Sequence, residues 1–360
     1  MKSEIQDNSH KEELSEFSSL LIRWYVKHKR DLPWRDTRDP YIIWISEIIL
    51  QQTRVAQGKD YFLRFVERFP DVASLAAAEE EEVLKLWQGL GYYSRARNLH
   101  AAAKDIMQRF GGMFPADYKE ILSLKGIGPY TAAAIASAAW NLPYPVVDGN
   151  VFRVLSRLFG ITTPIDSTLG KKEFTLLATG IMNPAEAGIH NQAMMELGAL
   201  QCIPQQPDCP ICPFAGKCQA YKEGKVQQYP VKAHKTKTRN RYFHYFHIVH
   251  NDSTWLHRRQ GNDIWKGLYE FPLIETDSPL DFAQLQQTHE FRNLFAHVGK
   301  MNVSIHRPKD KHILSHQIIY ATFYRIEIEH PLPHNQAYKQ IPFQEIENYP
   351  VSRLIHLYLD

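Results

Sequence analysis

All four cysteines of the chain lie in one short loop, and this loop restricts the possible folds more than any other feature. The spacing is Cys202-x6-Cys209-x2-Cys212-x5-Cys218. No cysteine remains elsewhere to join distant segments, so the pattern excludes a secreted disulfide framework. Four prolines alternate with the cysteines: Pro204, Pro207, Pro210 and Pro213. Each proline fixes φ and blocks helix formation, which favours a loop wrapped around a compact object.

The unequal spacing of the cysteines distinguishes two kinds of metal site. A zinc ribbon or finger uses two short C-x2-C pairs, whereas here a single pair is flanked by two lone cysteines. Four thiolates that converge from one loop are typical of a cubane iron–sulfur cluster. We therefore expect a [4Fe-4S] cluster on Cys202, Cys209, Cys212 and Cys218, with structural zinc as the alternative.

The hydrophobic pattern changes once along the chain, which predicts two domains. Up to about residue 200 apolar residues recur at spacings of three and four, as in an all-α domain. Beyond residue 241, segments rich in aromatic and β-branched residues partly alternate, as in an α+β domain. The predicted organisation is a flexible N-terminus at 1–13, a helical domain at 14–221 that includes the cysteine loop 202–218, a basic linker at 222–241 and an α+β domain at 242–360.

Composition sets the outer limits on function. The net charge is only +3, so any binding of nucleic acid must come from a local patch. No apolar run is long enough to span a bilayer, and the polar segment Met1–Glu16 has no signal-peptide core. We expect a soluble, cytoplasmic protein without a membrane partner.

A glycine-containing turn joins two predicted helices near the middle of the helical domain. Gly126 and Gly128 permit backbone angles that other residues resist, and the next helix begins near Pro129. The free N–H groups of that helix, with the neighbouring glycine amides, suit a phosphate oxygen. A simple packing turn is the alternative interpretation.

Two carboxylates are candidates for acid chemistry. Glu47 is the single acid in the apolar helix predicted around residues 41–52, so burial should raise its pKa, as a general acid requires. Asp148 precedes a helix predicted at Val151, where an aspartate is commonly the N-cap. Asn150 is closer to that helix, and we expect it to cap and leave Asp148 free. Cleavage of an N-glycosidic bond needs one acid for the leaving base and one carboxylate near the sugar, as in glycoside hydrolysis.

Five motifs give the chain a resemblance to a known family. They are Leu32–Arg35, Trp44–Arg54, Gly89–Asn98, Lys125–Thr131 and Val147–Val151, followed by the cysteine loop. Together they resemble, in the same order, the MutY branch of the helix–hairpin–helix DNA glycosylases. The resemblance implies excision of adenine opposite 8-oxoguanine or guanine in double-stranded DNA, by base flipping during base excision repair. It also implies a protein of the bacterial nucleoid, and we expect a monomer.

The resemblance also implies roles for individual residues. Glu47 would protonate the flipped adenine and Asp148 would stabilise the cationic sugar. The remaining implied residues support or surround them: Tyr130 and Asn150 at the reacting centre, Arg35 and Gln192 in the base pocket, Gln52 and Tyr92 as wedges in the duplex, and Thr53 and Leu90 near the oxidised guanine. Tyr130 occupies the position of the lysine nucleophile in lyase-type relatives, and a phenol cannot form an imine.

The second domain resembles a Nudix fold in the segment from Trp255 to Pro272. A pyrophosphohydrolase would carry a run of the Arg-Glu-x-x-Glu-Glu kind, and none follows Glu275. We therefore expect recognition without phosphate hydrolysis. Ser315 and His316 match a Phe-Ser-His loop that recognises oxidised guanine in this family, although Leu314 replaces the aromatic residue.

Two other functions stay open on the sequence alone. A pyrimidine-damage glycosylase with lyase activity would share the fold and the cluster, but Tyr130 and the second domain argue against it. A non-catalytic iron–sulfur module that binds DNA would need neither Glu47 in an apolar helix nor a base pocket. Excision of adenine by the purified protein would separate the three possibilities.

The substitution Tyr130→Lys tests whether the chain lacks lyase activity because position 130 lacks an amine. If the lysine reaches the sugar aldehyde, borohydride should trap a covalent DNA adduct more strongly with the variant than with the parent. Strong trapping by the parent itself would show that another lysine serves, and the chain would then not be a monofunctional glycosylase.

Overall fold

The computed structural model of the protein describes residues 16–233, 238–333 and 337–359. The expected flexible N-terminus at 1–13 lies outside these residues. The chain divides into two compact units: the residues up to Ala77 with Ala101–Lys235, and Ala78–His100 with Thr236–Asp360. The domain limits expected from the sequence stay predictions.

The chain is helical as far as Lys222. In order, its helices are α1 (16–28), α2 (Pro40–Leu50), α3 (Val55–Arg68), α4 (Val72–Ala77), α5 (Glu80–Leu86), α6 (Ser94–Phe110), α7 (Tyr118–Ser123), α8 (Pro129–Trp140), α9 (Gly149–Phe159), α10 (Thr168–Ile181), α11 (Ala187–Glu196) and α12 (Gln219–Lys222). A π-helical turn, Leu197–Gln201, follows α11 and leads into the cysteine loop. Helix α5 and the part of α6 up to His100 belong to the second unit.

Helix α2 begins where its sequence signals predict. The Asp39 side chain accepts a hydrogen bond from the backbone N–H of Tyr41, and Pro40 occupies the first turn, where its missing N–H has no cost. Most of the helix is buried, including Trp44 and Ile45, which are fully enclosed. Helix α8 packs against α2 and is also buried along most of its length. These two buried helices place Glu47 inside the first unit.

The second unit is built on a mixed sheet. Its strands are β1 (Arg239–His250), β2 (Ser253–Arg258), β3 (Tyr269–Glu270), β4 (Leu273–Thr276), β5 (Met301–Ile313), β6 (Gln317–Ile328) and β7 (Lys339–Pro342). The order β3-β2-β1-β6-β5 is extended by β4, which pairs with β1, and by β7, which pairs with β2. Strands β1 and β6 are parallel, and the other pairs are antiparallel. Three short helices accompany the sheet: α13 (Phe282–Gln286), α14 (His289–Leu294) and α15 (Arg353–Leu359).

Each face of the sheet covers its own apolar cluster. Along β1, Phe243 and Tyr245 point into one cluster, whereas Phe246 and Ile248 point into the other. This arrangement follows from the two-residue period of a strand, and the cover on both faces explains why β1 is buried along most of its length. Within the described residues, no helix combines the length and the apolar character that crossing a bilayer requires.

Candidate functional site

Glu47 and Tyr130 form the centre of the candidate site in the first unit. The Tyr130 hydroxyl donates a hydrogen bond of 2.7 Å to Oε2 of Glu47. Tyr130 lies in the first turn of α8, and Glu47 lies on the facing side of α2. The phenol therefore orients the carboxyl group.

The surroundings of Glu47 keep its carboxyl group protonated at higher pH than usual. The pKa of Glu47 is raised to about 7, mainly by burial of the carboxyl group and to a smaller extent by the negative charge of Asp148. The hydrogen bond from Tyr130 opposes this shift because it favours the ionised form. Near neutral pH the group can therefore donate a proton.

Asp148 is held at the N-terminus of α9 by hydrogen bonds to both of its oxygens. Its Oδ1 accepts from the backbone N–H of Val151 at 2.7 Å, and its Oδ2 accepts from Nδ2 of Asn150 at 2.8 Å. The expectation that Asn150 caps this helix and leaves Asp148 free is wrong, because Asp148 is the N-cap. Burial raises the pKa of Asp148, and these hydrogen bonds oppose the rise.

Arg153 connects the Asp148 site to the cysteine loop. Its guanidinium donates to Oδ1 of Asn150 at 2.9 Å and to the carbonyl oxygen of Cys202 at 2.7 Å. It also donates to the carbonyl of Gly198, at 2.7 Å. A Cβ on Gly198 would lie 2.6 Å from Cβ of Asn150, so only glycine lets the π-helical turn approach α9 this closely. The position of Asn150 is thus tied to the start of the cysteine loop.

Arg157, one turn further along α9, fixes the same loop. It is buried and donates to the carbonyl oxygens of Ile203, Pro204 and Val226 at 2.7–3.0 Å. One of its nitrogens lies 3.4 Å from Sγ of Cys202. A guanidinium at this place offsets the negative charge that thiolate ligands would bring.

The four cysteine side chains line one cavity. Its other walls include Val154, Leu158, Leu197 and Ala215, which are apolar, and Arg157. Among the residues that the structure describes, no three cysteine, histidine or acidic side chains converge closely enough to hold a single metal ion. Four cysteine side chains in one cavity are the donors that an iron–sulfur cluster uses.

The structure places Arg35, Glu47 and Gln192 around a common cavity of about 680 Å³ in the first unit. Tyr130 reaches this group through its hydrogen bond to Glu47. The two residues expected to line a base pocket are therefore brought together with the candidate acid. A cavity of this size accommodates a nucleobase.

Sequence reasoning missed Glu196, which holds two arginines beside this cavity. Glu196 is 1% exposed and accepts hydrogen bonds from Arg30, at 2.6 and 2.9 Å, and from both terminal nitrogens of Arg35. These donors outweigh burial and lower the pKa of Glu196 to about 2. The residue is a lone acid within the apolar run 193–200, the same signal that identified Glu47.

Asn191 is a second residue that the sequence did not reveal. It is buried, and its Oδ1 accepts from the backbone N–H of Val146 at 3.0 Å. Its Nδ2 donates to Ser137 and to the carbonyl of Tyr144. The amide therefore anchors the segment that leads into Asp148 to helices α8 and α11.

Four residues expected to contact DNA lie in two turns of the first unit. Gln52 follows α2 and has a φ of +55°, which is unusual for a residue other than glycine. Thr53 is the next residue. Such angles are often found at functional sites. In the turn between α7 and α8, Gly126 has a φ of +81°, as expected. Gly128 is extended, and the space beside it is open.

The remaining predicted residues lie in the second unit. Tyr92 has a φ of +47°, is 46% exposed, and its hydroxyl is hydrogen-bonded to Oγ of Ser315. Ser315 and His316 are exposed in the turn between β5 and β6, whereas Leu314 packs against the cluster around Phe243. Leu90 is buried.

Two family models match the chain. Residues 45–176 match the HhH-GPD superfamily of base excision DNA repair proteins, and residues 244–360 match the NUDIX domain. The chain is 39% identical over 257 residues to the adenine DNA glycosylase of Buchnera aphidicola from Acyrthosiphon pisum. The aligned residues make up 71% of this chain and 73% of that protein. It is 42% identical over 225 residues to the human adenine DNA glycosylase, covering 60% and 41% of the two chains.

Solved structures resemble the chain over 59% of its length. A thermostable thymine-DNA glycosylase aligns with a TM-score of 0.55 at 29% identity and is covered to 98%. A non-covalent endonuclease III–DNA complex aligns with a TM-score of 0.51 at 25% identity, with 97% of that chain covered. The prediction of a helical helix–hairpin–helix domain followed by a Nudix-like domain is confirmed.

Replacing Glu196 with glutamine should destabilise the first unit, because Arg30 and Arg35 would lose their counter-charge. The pKa of Glu196 is lower in the folded protein than in the unfolded chain, so the carboxylate stabilises the fold above about pH 4.5. A shift of the pKa from 4.5 to about 2 corresponds to a contribution of about 3 kcal/mol to the free energy of unfolding at neutral pH. The parent should lose this contribution as the pH falls toward 2.

Urea unfolding of parent and Glu196→Gln at pH 7 and between pH 4.5 and 3 measures this difference. The control is Glu186→Gln, an exposed carboxylate at the same cavity, which should alter stability by less than about 0.5 kcal/mol. If the difference in free energy of unfolding between the parent and Glu196→Gln does not become smaller as the pH falls, Glu196 is not the stabilising carboxylate.

Proposed function

The chain belongs to the adenine DNA glycosylases, and from this we propose that it removes adenine mispaired with 8-oxoguanine or guanine in double-stranded DNA. As a member of this family it is a DNA glycosylase that removes adenine in base excision repair. The observation that carries the finer proposal is the hydrogen-bonded pair Glu47–Tyr130 with Asp148 nearby, beside a base-sized cavity.

The proposed reaction is acid-assisted hydrolysis of the N-glycosidic bond. Glu47 in its protonated form donates a proton to a ring nitrogen of the flipped adenine. The bond from the sugar to the base then breaks, and the electron pair leaves with the adenine. Asp148, whose ionised form is favoured by its two hydrogen bonds, faces the positive charge that develops on the sugar. Water then forms a bond to the sugar carbon and loses a proton to the carboxylate of Glu47, which restores the acid.

Three side chains around the cavity support recognition of adenine. The amide of Gln192 offers one donor and one acceptor, which is the pattern that an adenine edge requires. Arg35 contributes a guanidinium whose orientation is fixed by Glu196. Tyr130 holds Glu47 by a hydrogen bond and supplies no amine, so we propose that excision is not followed by strand cleavage.

We propose that Cys202, Cys209, Cys212 and Cys218 hold a [4Fe-4S] cluster. Their common cavity, its apolar walls and the nearby Arg157 support this assignment. A bound cluster would link the ends of the loop and so stabilise the carbonyl groups to which Arg153 and Arg157 donate. Its contribution would be structural, since the chemistry lies with Glu47 and Asp148.

Contacts to the duplex are proposed in both units. The backbone N–H groups of Gly126, Gly128 and Tyr130, around the start of α8, suit a phosphate. Gln52 and Thr53 in the first unit, and Tyr92 in the second, would enter the duplex beside the mispair. A monomeric state and action at the bacterial nucleoid stay predictions.

Recognition of the oxidised guanine is proposed for the second unit. Compared with guanine, the lesion has an added carbonyl oxygen and an N7 that donates. Ser315 and His316 are exposed and can accept or donate at that edge. Leu90 is buried, so a direct contact of its side chain with the lesion is less well supported than one of Tyr92.

The substitution Glu47→Gln keeps the shape of the side chain but removes its acidic proton. Single-turnover excision should fall by at least about 10²-fold, while binding to the mispair survives. The parent rate should also decline as pH rises through about 7, because only the protonated carboxyl donates. The control Glu186→Gln alters a carboxylate at the same cavity and should retain both the rate and the pH profile. Near-normal excision by Glu47→Gln would remove Glu47 from this role.

The cluster assignment predicts the metal content of the purified protein. Anaerobic preparation should give a yellow-brown protein with about four irons and matching sulfide per chain. One equivalent of zinc without iron or sulfide would contradict the assignment and favour a structural zinc site.

The double substitution Ser315→Ala with His316→Ala tests lesion recognition. Preference for adenine opposite 8-oxoguanine over adenine opposite guanine should weaken by about 1–3 kcal/mol, the scale of a base contact. Excision opposite guanine should change much less. Ser304→Ala, which alters an exposed serine on the preceding strand, is the control. An unchanged preference ratio under single-turnover conditions would place discrimination outside the β5–β6 turn.

A further inference from the structure

A tight turn at Trp265–Gly267 contacts both parts of the second unit that carry lesion-facing residues. Trp265 has a φ of +59° and Gly267 a φ of +84°. The backbone N–H of Gly267 donates to the carbonyl of Arg259 at 2.7 Å, and that of Leu268 donates to the carbonyl of Trp265 at 3.0 Å. The first bond joins the turn to the residue that follows β2, and the second closes the turn itself.

On one side, the turn supports the β5–β6 connection that presents Ser315. The Trp265 ring contacts the ring of His312 edge-on, with centroids 5.8 Å apart. Leu314 and Trp265 also pack against the same apolar cluster. The backbone N–H of Leu314 donates to the carbonyl of Gln317 at 2.8 Å, which closes the turn around Ser315.

On the other side, the turn holds the helices that flank Tyr92. Arg97 on α6 donates to the carbonyl oxygen of Lys266. A Cβ added to Gly267 would lie 3.1 Å from Cδ1 of Leu84 on α5, so the backbone of the turn is in close contact with this helix. Main-chain atoms of the Trp265–Gly267 turn therefore contact both α5 and α6.

The connection between α5 and α6 has little freedom to move independently of these helices. Arg95 donates to the carbonyl oxygens of Leu90 and Gly91, and its guanidinium lies over the rings of Trp87 and Tyr92. A shift of α5 or α6 would consequently be transmitted to Tyr92. The hydrogen bond between Tyr92 and Ser315 completes a closed path that begins and ends at the Trp265–Gly267 turn.

We propose that the Trp265–Gly267 turn is a specificity-determining support, which sets the position of Tyr92 relative to Ser315 and so adjusts the preference for oxidised guanine. Gly267 and Arg97 are positioning residues that act through Tyr92 and Ser315 and do not touch the DNA themselves. The inference rests on the proposed function, since it assumes that these two residues recognise the lesion.

Gly267→Ala and Arg97→Met perturb the support from its two sides. The first forces a side chain into a left-handed backbone conformation and against Leu84. The second keeps an unbranched side chain but removes the donor to Lys266. Gly261→Ala is the matched control, because its φ is ordinary and an added Cβ meets nothing within 4 Å.

The measurement is single-turnover excision of adenine opposite 8-oxoguanine and opposite guanine, with thermal unfolding of each variant. Gly267→Ala and Arg97→Met should lower the preference ratio by about five-fold or more, whereas excision opposite guanine stays within about two-fold. Gly261→Ala should match the parent. An unchanged ratio in both variants would overturn the inference. An equal loss of excision rate on both substrates would also overturn the inference, because it would indicate that Gly267 and Arg97 only maintain the fold.

Combining each variant with Ser315→Ala tests whether the effect passes through Ser315. The combined variant should discriminate no worse than Ser315→Ala alone, and additive losses would overturn the inference. A failure of the proposed function can be told apart from a failure of this inference. If the parent itself shows no preference for adenine opposite 8-oxoguanine, lesion recognition is contradicted.

Discussion

The hydrogen bonds that Arg153 and Arg157 make from α9 to the cysteine loop are the constraint on which the catalytic half of the molecule depends. Main-chain carbonyls in an irregular loop cannot satisfy one another as they do in a helix. The two guanidiniums provide the missing donors. Because Asp148 caps the same helix, any displacement of the loop acts on the carboxylate through Asn150 and Arg153. A cluster in the loop can therefore support catalysis without touching substrate.

The pair of carboxylates in the first unit is differentiated by hydrogen bonding. Glu47 is surrounded by apolar side chains and receives one phenolic donor, so burial dominates and its pKa reaches about 7. Asp148 receives donors at both oxygens and lies at a helix N-terminus, where negative charge is favoured. Burial also raises the pKa of Asp148, but its hydrogen bonds oppose that rise, and the proposed reaction therefore uses Glu47 as the acid and Asp148 as the anion.

The sequence predicts those features that depend on neighbours along the chain. The cap of α2 at Asp39 and the start of α8 at Pro129 are both local, and the structure has them. Glu47 could be identified because a lone acid in an apolar helix is conspicuous, and Glu196 has the same signal. Asn191, Arg153 and Arg157 could not be identified, because their partners are mostly carbonyl and amide groups 45 or more residues away. No residue pattern marks such bonds.

The same reasoning explains why the surface that is proposed to recognise the oxidised guanine is the part of the site that is hardest to predict from sequence. Tyr92 and Ser315 are 223 residues apart in the chain, yet both belong to the second unit. Their proximity depends on a turn whose contacts are made mainly by backbone atoms, at Lys266 and Gly267. Adenine is a normal base, so a pocket that accepts adenine cannot by itself protect correct pairs. Placing the proposed recognition of the partner base in a separate unit lets selectivity vary without altering the environment that sets the pKa of Glu47.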